Sequence, residues 1–468
     1  MTQSITNKTD KIEQEVNTMN ELFETMPVKK AYFKIALPVV LSMMVTLVYN
    51  LVDTFFVSQT QNTNLVAGVS LCAPIFTLMI ALGDIFGLGG SSVISRLFGN
   101  KETEEAKRVS AVCFYYAIGV SLLTSLIMIL FKNPILSLLG TEASTRPYVL
   151  QYYHVISIGG VFIILSMIPT NLIRCAGHAQ DAMIGTILGC VINIILDPIF
   201  LFVFHMEATG VAIATVFSNF VTDVYLVYVI KRKCPELSVS LKDAHCNTDH
   251  IKGLIFIGIP ASLTNIMQSF AVTLTNQYLR PYGSNAIASM GISLKVNMII
   301  MMVLVGFAFG AQPLIGYCIG ANNKKRLKEV LRFDALVIIS FACVMTLVLC
   351  LFTPSIMSCF MKDQTIVSQG STMLRCLSIS TPFVGIILIL TTLFQSAGYA
   401  TGAMVISLSR QGVIFFVVMI VLTALLGYMG ILLAQCISDI ISLIIGLLLV
   451  KKNEARIIES HFYLVFIA

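Results

Sequence analysis

Twelve apolar runs, separated by short polar or Gly/Pro-marked breaks, constrain this chain more than any other feature. They fall near 35–57, 66–94, 109–131, 148–173, 182–204, 210–230, 253–279, 286–318, 333–353, 375–397, 403–427 and 429–450. About 20 apolar residues cross the hydrocarbon core of a bilayer as a helix. Inside that core every backbone amide has to bond within its own segment, so helices are the natural reading for runs of this length. The expected fold class is therefore all-α, a polytopic membrane protein with 12 transmembrane helices. Composition agrees: 57% of the 468 residues are hydrophobic and 12% are charged, where a soluble domain carries about 25% charged residues. An ordinary soluble enzyme, a disordered chain and a nucleic-acid binder are excluded, despite the formal charge of +6.

That charge is better read as topology. Alternate loops can be compared for Lys and Arg, which accumulate on the cytoplasmic side. The side that holds the N-terminus carries 23 of the 30 basic residues and the other side 5, with Lys295 and Arg410 left inside spans. Both termini are expected in the cytoplasm of a cell whose plasma membrane holds the protein. Residues 1–26 are polar and acidic with no apolar core, so no signal peptide is expected. The tail 457–468 turns apolar again but is too short to cross. Twelve Cys with no CxxC spacing, mostly within apolar runs, read as buried thiols rather than a disulfide framework.

The second half repeats the first at an offset of about 221. FGLGGSSVISRLFGNKETEEAKRV (86–109) aligns without a gap on FAFGAQPLIGYCIGANNKKRLKEV (307–330), CAGHAQDAM (175–183) on SAGYATGAM (396–404), and Pro38 on Pro260. Two pseudosymmetric six-helix lobes are expected, at 35–230 and 253–450. A cytoplasmic N-terminal segment (1–34), a cytoplasmic linker (231–252) and a C-terminal tail (451–468) complete the chain. Both repeats start on the same side, the parallel arrangement in which two halves enclose a substrate site and rock about it. Gly83/Gly87, Gly306/Gly310 and Gly316/Gly320, each pair four residues apart, suit close helix packing.

Charges within spans are costly and therefore functional candidates. The first lobe holds Asp53, Asp84, Asp197 and Asp223; the second holds Lys295, Arg410 and Asp439. The repeat is chemically unequal, because Thr275 falls opposite Asp53 and Val418 opposite Asp197. In NIILDPIF, Asn193 and Asp197 share a helix face, and Pro198 leaves the carbonyl of Ile194 without its helical partner. Carboxylate, amide oxygen and free carbonyl make the oxygen set a hard cation wants. Thr215 adds a hydroxyl if its helix is a neighbour, and Asp53 in YNLVDTFF is a second carboxylate at mid-membrane. Two carboxylates close together in a low dielectric can also hold a proton. The plainer alternative is that each Asp bonds a neighbouring helix, and it is the stronger reading for Asp84, Asp223 and Asp439. Lys295 and Arg410 either line a cavity or balance a carboxylate such as Asp439. Asn50, Asn276, Lys295, Arg410 and Asp439 are the candidate substrate-cavity residues.

Other signals are weak. DAHCNTDH (243–250) could ligate a metal but reads better as a solvated loop. GxxxxGK[ST], G-x-S-x-G and H-E-x-x-H are absent, so neither ATP use nor hydrolytic catalysis is indicated. No cofactor is expected. Among the 22 Met and 29 Phe, those facing a cavity would form an adaptable wall with cation–π capacity for lipophilic cations.

YNLVDTFFVS in the first span, GGSSVISRLFG after the second and NIILDPIF in the fifth resemble the multidrug and toxic compound extrusion (MATE) family, in particular its bacterial MepA-like branch. The resemblance covers residues 30–450. It implies a V-shaped pair of bundles that exports cationic drugs by antiport with Na⁺ or H⁺. It also implies a first-lobe cation site at Asp53, Asn193, Asp197 and Thr215, with Tyr49 beside it. Some family members carry an acidic residue in the seventh span; 253–279 here has no Asp or Glu. Expected partners are small cationic drugs and the lipid bilayer, with the protein monomeric and no nucleic acid bound. A flippase of a lipid-linked saccharide is the alternative, although it calls for more cationic residues than Lys295 and Arg410. A membrane-embedded enzyme is a third class without a motif to support it.

Overall fold

The computed structural model describes residues 19–360 and 363–457; the apolar tail beyond Ile457 lies outside them, as do Lys8, Lys11 and Lys362 of the charge count. Among the described residues there is no strand. Eleven helical segments are long and apolar enough to cross a membrane: α1 (Val28–Gln59), α2 (Thr63–Gly99), α3 (Thr103–Leu130), α4 (Arg146–Cys175), α5 (Ala179–Val203), α6 (Glu207–Lys233), α7 (Thr248–Tyr282), α8 (Asn285–Gly320), α9 (Lys324–Phe360), α11 (Ala400–Leu426) and α12 (Tyr428–Asn453). The remaining segment, α10, is a pair, Gln364–Ile379 and Thr381–Ser396, bent by 40°. Pro382 sits in the first turn of its second half, where a proline is tolerated because its missing N–H needs no partner. Each apolar run of the sequence thus has its helix.

Ser and Thr hydroxyls in these helices mostly bond back to their own backbone. Thr46 donates to the Ser42 carbonyl at 2.9 Å, Ser157 to that of Tyr153 at 2.6 Å and Thr391 to that of Ile387 at 2.8 Å. Where no water competes, this is how a hydroxyl is satisfied without a partner helix.

The helices form two compact units. The first comprises the described residues up to Pro27 together with Leu41–Ser262; the second comprises Val28–Val40 and the described residues from Leu263 onward. The opening halves of α1 and α7 are thus assigned away from the remainder of their own helices, and the divisions fall just after Pro38 and Pro260. Glycine explains how each half-helix is seated. A Cβ on Gly310 of α8 would stand 2.5 Å from Ala36 Cα, and one on Gly306 2.8 Å from Val40 Cα. In the first unit the equivalent approach joins Gly89 of α2 to the Leu254 carbonyl of α7, and Gly258 of α7 to the carbonyl of Ile85. Missing side chains let these backbones close on each other.

The repeat extends to the turns. Gly177 and Gly398 follow α4 and α10 with φ of +85° and +75°. In each case the next residue donates back across the helix end: His178 N–H to the Ile173 carbonyl at 3.1 Å, and Tyr399 N–H to that of Phe394 at 2.9 Å. This six-residue closure needs a left-handed residue, which glycine adopts without strain.

Candidate functional site

Asp53 and Tyr49 lie one turn apart on α1, and Asn193 and Asp197 one turn apart on α5, so each helix presents two polar groups on one face. Thr215 enters from α6. All five belong to the first unit. Asn193 and Asp197 are each 1% exposed, and Thr215 is buried beside them. With its amide oriented to satisfy both neighbours, Asn193 donates to Asp197 Oδ2 at 2.6 Å and accepts from the Thr215 backbone N–H at 3.2 Å. The Thr215 hydroxyl donates to the Val211 carbonyl at 3.0 Å. The phenols of Tyr49 and Tyr152 reach it from α1 and α4. The structure therefore brings together the whole predicted set and adds Tyr152.

The carboxyl groups of Asp53 and Asp197 are within hydrogen-bonding reach of each other. Asp53 Oδ1 and Asp197 Oδ1 are buried with no hydrogen-bond partner among the described residues. Among the described residues no Lys, Arg or His acts on either carboxyl; besides burial, each is influenced by the other. Two facing carboxylates without a counter-charge, among neutral groups away from bulk water, are chemically incomplete. A shared proton or a small hard cation would complete them, and amide and hydroxyl oxygens stand close enough to join the coordination. Just beyond Asp197, Pro198 ends the α-helical part of α5, and the chain continues as a π-helical turn over Ile199–Val203. Such turns are rare and frequently lie at functional sites.

The other candidates are distributed differently. Asn50 is exposed on α1 in the first unit, and Lys295 is exposed on α8 in the second; Asn276 is half-buried on α7. Arg410 Nε reaches Asp439 Oδ1 at 3.2 Å, and Gln435 Nε2 donates to the same oxygen at 3.0 Å. Of the two roles open to Arg410, the structure displays carboxylate pairing, with Asp439 fully buried.

Sequence reasoning passed over Tyr152 and Asp334. Tyr152 is one of two adjacent tyrosines in an apolar run, and nothing local says which of them faces the carboxylates. Asp334 was masked by a boundary: the apolar run starts near 333, whereas α9 begins at Lys324. Asp334 therefore lies three turns inside the helix, where it accepts from the Tyr32 hydroxyl at 2.7 Å.

The family model for MatE matches this chain twice, over residues 38–199 and 260–421. The chain belongs to the MatE family. Both matches begin at the prolines that mark the division of α1 and α7 between the units. Among curated relatives, the Multidrug export protein MepA of Staphylococcus aureus (strain MRSA252) is 30% identical over 438 residues, covering 93% of this chain and 96% of its own length. The protein of the same name from Staphylococcus haemolyticus (strain JCSC1435) is 30% identical over 436 residues, with the same coverage. Among solved structures, a crystal structure of MATE in complex with MaL6 superposes with a TM-score of 0.88 at 22% identity, over 94% of this chain and 99% of that one. The fold is thus a MATE fold, and MatE membership makes the chain a multi-pass membrane transporter.

Proposed function

We propose that this protein is a secondary active multidrug exporter that moves lipophilic cations outward by antiport with Na⁺ or H⁺, through alternating access of its two halves. The observation that carries the reading is the Asp53–Asp197 pair, a half-buried and a buried carboxyl on neighbouring helices with no basic residue among the described ones acting on them. The printed function of the MepA relatives, multidrug export, supports the substrate side. The expected setting is a bacterial plasma membrane with both termini in the cytoplasm, in keeping with the 23-to-5 division of basic residues. Pairing of Arg410 with Asp439 weighs against a saccharide-pyrophosphate flippase, because it removes one of two candidate cations from service.

The pair performs antiport if drug and driving ion cannot both be stabilised at once. A cationic drug is drawn by the same negative charge that holds the ion, so occupancy by one removes the attraction for the other. Linkage makes the effect mutual: each weakens the other's binding by the same factor, about 5- to 150-fold for typical coupling energies. Equilibrium binding of ethidium to the purified protein, titrated with Na⁺ and separately with pH, tests this. Affinity should fall as either Na⁺ or H⁺ rises; affinity that stays flat through both titrations overturns antiport at this site.

A further inference from the structure

Among the described residues, four carboxyl groups outside the Asp53–Asp197 pair lie more than two turns inside the ends of the membrane segments and warrant comparison. Asp439 is held by Arg410 and Gln435, Asp334 by Tyr32, and Asp84 acts on Arg174. Asp223 of α6 differs. It is 8% exposed, and neither of its carboxyl oxygens has a hydrogen-bond partner among the described residues. Of the charged groups on the helices packed against α6, Arg174 at the end of α4 bonds Asn171 at 3.5 Å, and Asp181 at the start of α5 bonds Lys233 at 2.6 Å and His178 at 3.2 Å. None of these acts on Asp223, whose environment is set by burial alone. A carboxylate anion in such a place is costly, and a proton is the smallest thing that removes the cost.

A line of hydrogen bonds runs from the pair toward it and ends one helical turn short, at Asn219, Ser166 and Thr170. Asn193, bonded to Asp197, accepts from the Thr215 N–H. The Thr215 carbonyl accepts from Asn219 Nδ2 at 2.8 Å, and Asn219 Oδ1 accepts from the Ser166 hydroxyl at 3.1 Å. The Thr170 hydroxyl donates to the Ser166 carbonyl at 2.7 Å. Asp223 follows Asn219 by one turn on the same side of α6, as Thr170 follows Ser166 on α4. Thr215 and Asp223 are separated by about 12 Å along the helix, in the direction of the basic end Lys231–Lys233.

We propose that Asp223 is a second proton station of the transport cycle, receiving the proton that the Asp53–Asp197 pair gives up and passing it to water at the Lys231–Lys233 end of α6. The carboxyl O–H of the pair breaks, leaving a carboxylate free to attract a cationic drug, and an O–H forms on Asp223. Hydroxyls of Thr215, Ser166 and Thr170, with water between them, bridge the distance. The proton then leaves Asp223 to solvent, and no other bond changes. The inference rests on the antiport reading and commits it to H⁺.

Proteoliposomes holding the full chain test it with ethidium as probe. Transport driven by a pH gradient is compared with gradient-free ethidium counterflow, which needs the drug site and the conformational change but no net proton movement. Asp223→Asn should lower pH-driven transport by about tenfold or more and leave counterflow and ethidium affinity at wild-type values. Asp223→Glu should retain pH-driven transport with a displaced pH profile. Parallel loss of both activities in Asp223→Asn would assign the residue to packing and overturn the proposal. So would undiminished pH-driven transport, or, if the Asn variant does not fold, an unaltered pH profile in Asp223→Glu. A wild type driven by Na⁺ and indifferent to pH would sink the proton station while leaving antiport standing. A wild type driven by neither would remove the antiport reading itself.

Discussion

In the first unit two carboxyls, Asp53 and Asp197, face each other with no basic side chain among the described residues acting on either; in the second, Asp439 is bonded to Arg410 and Gln435, and Asp334 to Tyr32. Around this difference the backbones agree. Each unit seats a half-helix on glycines of a neighbouring span, and each has a left-handed glycine after an equivalent helix, Gly177 or Gly398. Turns and glycine contacts are backbone geometry, which a repeat has to keep if its helices are to pack. Side chains pointing into the unit are free to differ. The first unit holds two facing carboxyls with no basic residue beside them among the described residues, whereas in the second Asp439 is paired with Arg410 and Asp334 meets a neutral hydroxyl. Under the antiport proposed above, ion coupling falls to the first unit.

The largest test of that contrast is Asp197→Asn. It removes one of the two facing carboxyls while keeping shape, so gradient-driven ethidium efflux should fall by about 100-fold or more at near-normal expression. Wild-type efflux would erase the distinction between the units. Asp439→Asn is the mirror experiment. It leaves Arg410 without its carboxylate, and loss of one partner of a buried pair costs about 3–5 kcal/mol, visible as a lower melting temperature in detergent. The Na⁺ and pH dependence of transport should survive, and a stable protein that had lost it would move the ion site to the second unit.

Two smaller substitutions examine what the units share. Gly310→Ala would bring a Cβ to 2.5 Å from Ala36 Cα, an overpacking worth about 1–3 kcal/mol. Gly258→Ala meets the Ile85 carbonyl in the first unit and should cost a similar amount by the same melting assay. A harmless Gly258→Ala beside a damaging Gly310→Ala would show that the half-helices are held by different means. Tyr32→Phe is the mildest. It removes the donor to a buried Asp334 oxygen, for about 1–2 kcal/mol of stability, with ethidium affinity unaltered.

Much of this was legible without coordinates. The Tyr49/Asp53 and Asn193/Asp197 pairs could be read because four-residue spacing fixes a common helix face, and Thr215 because a polar residue in mid-span is rare enough to notice. Asp334 was not, since the apolar run that marked its span starts nine residues after the helix does. Arg410 was legible as a charge within a span but not as Asp439's partner, since the two lie on different helices, α11 and α12.

By itself the sequence determined the number of spans, the repeat, and the faces of α1 and α5 that carry paired polar groups. These depend on run length, similarity and helical period, all of which are local. Only the tertiary structure decided which faces meet: that Tyr152 joins Thr215, that Arg410 finds Asp439, that Asp223 is buried without a partner among the described residues, and that Val28–Val40 belongs to the second unit. The reason lies in the solvent. In water an apolar stripe announces the inward face of a helix, whereas in lipid an apolar face suits the outside as well as the inside, and helices associate through small residues and polar contacts whose partners lie far away in the chain.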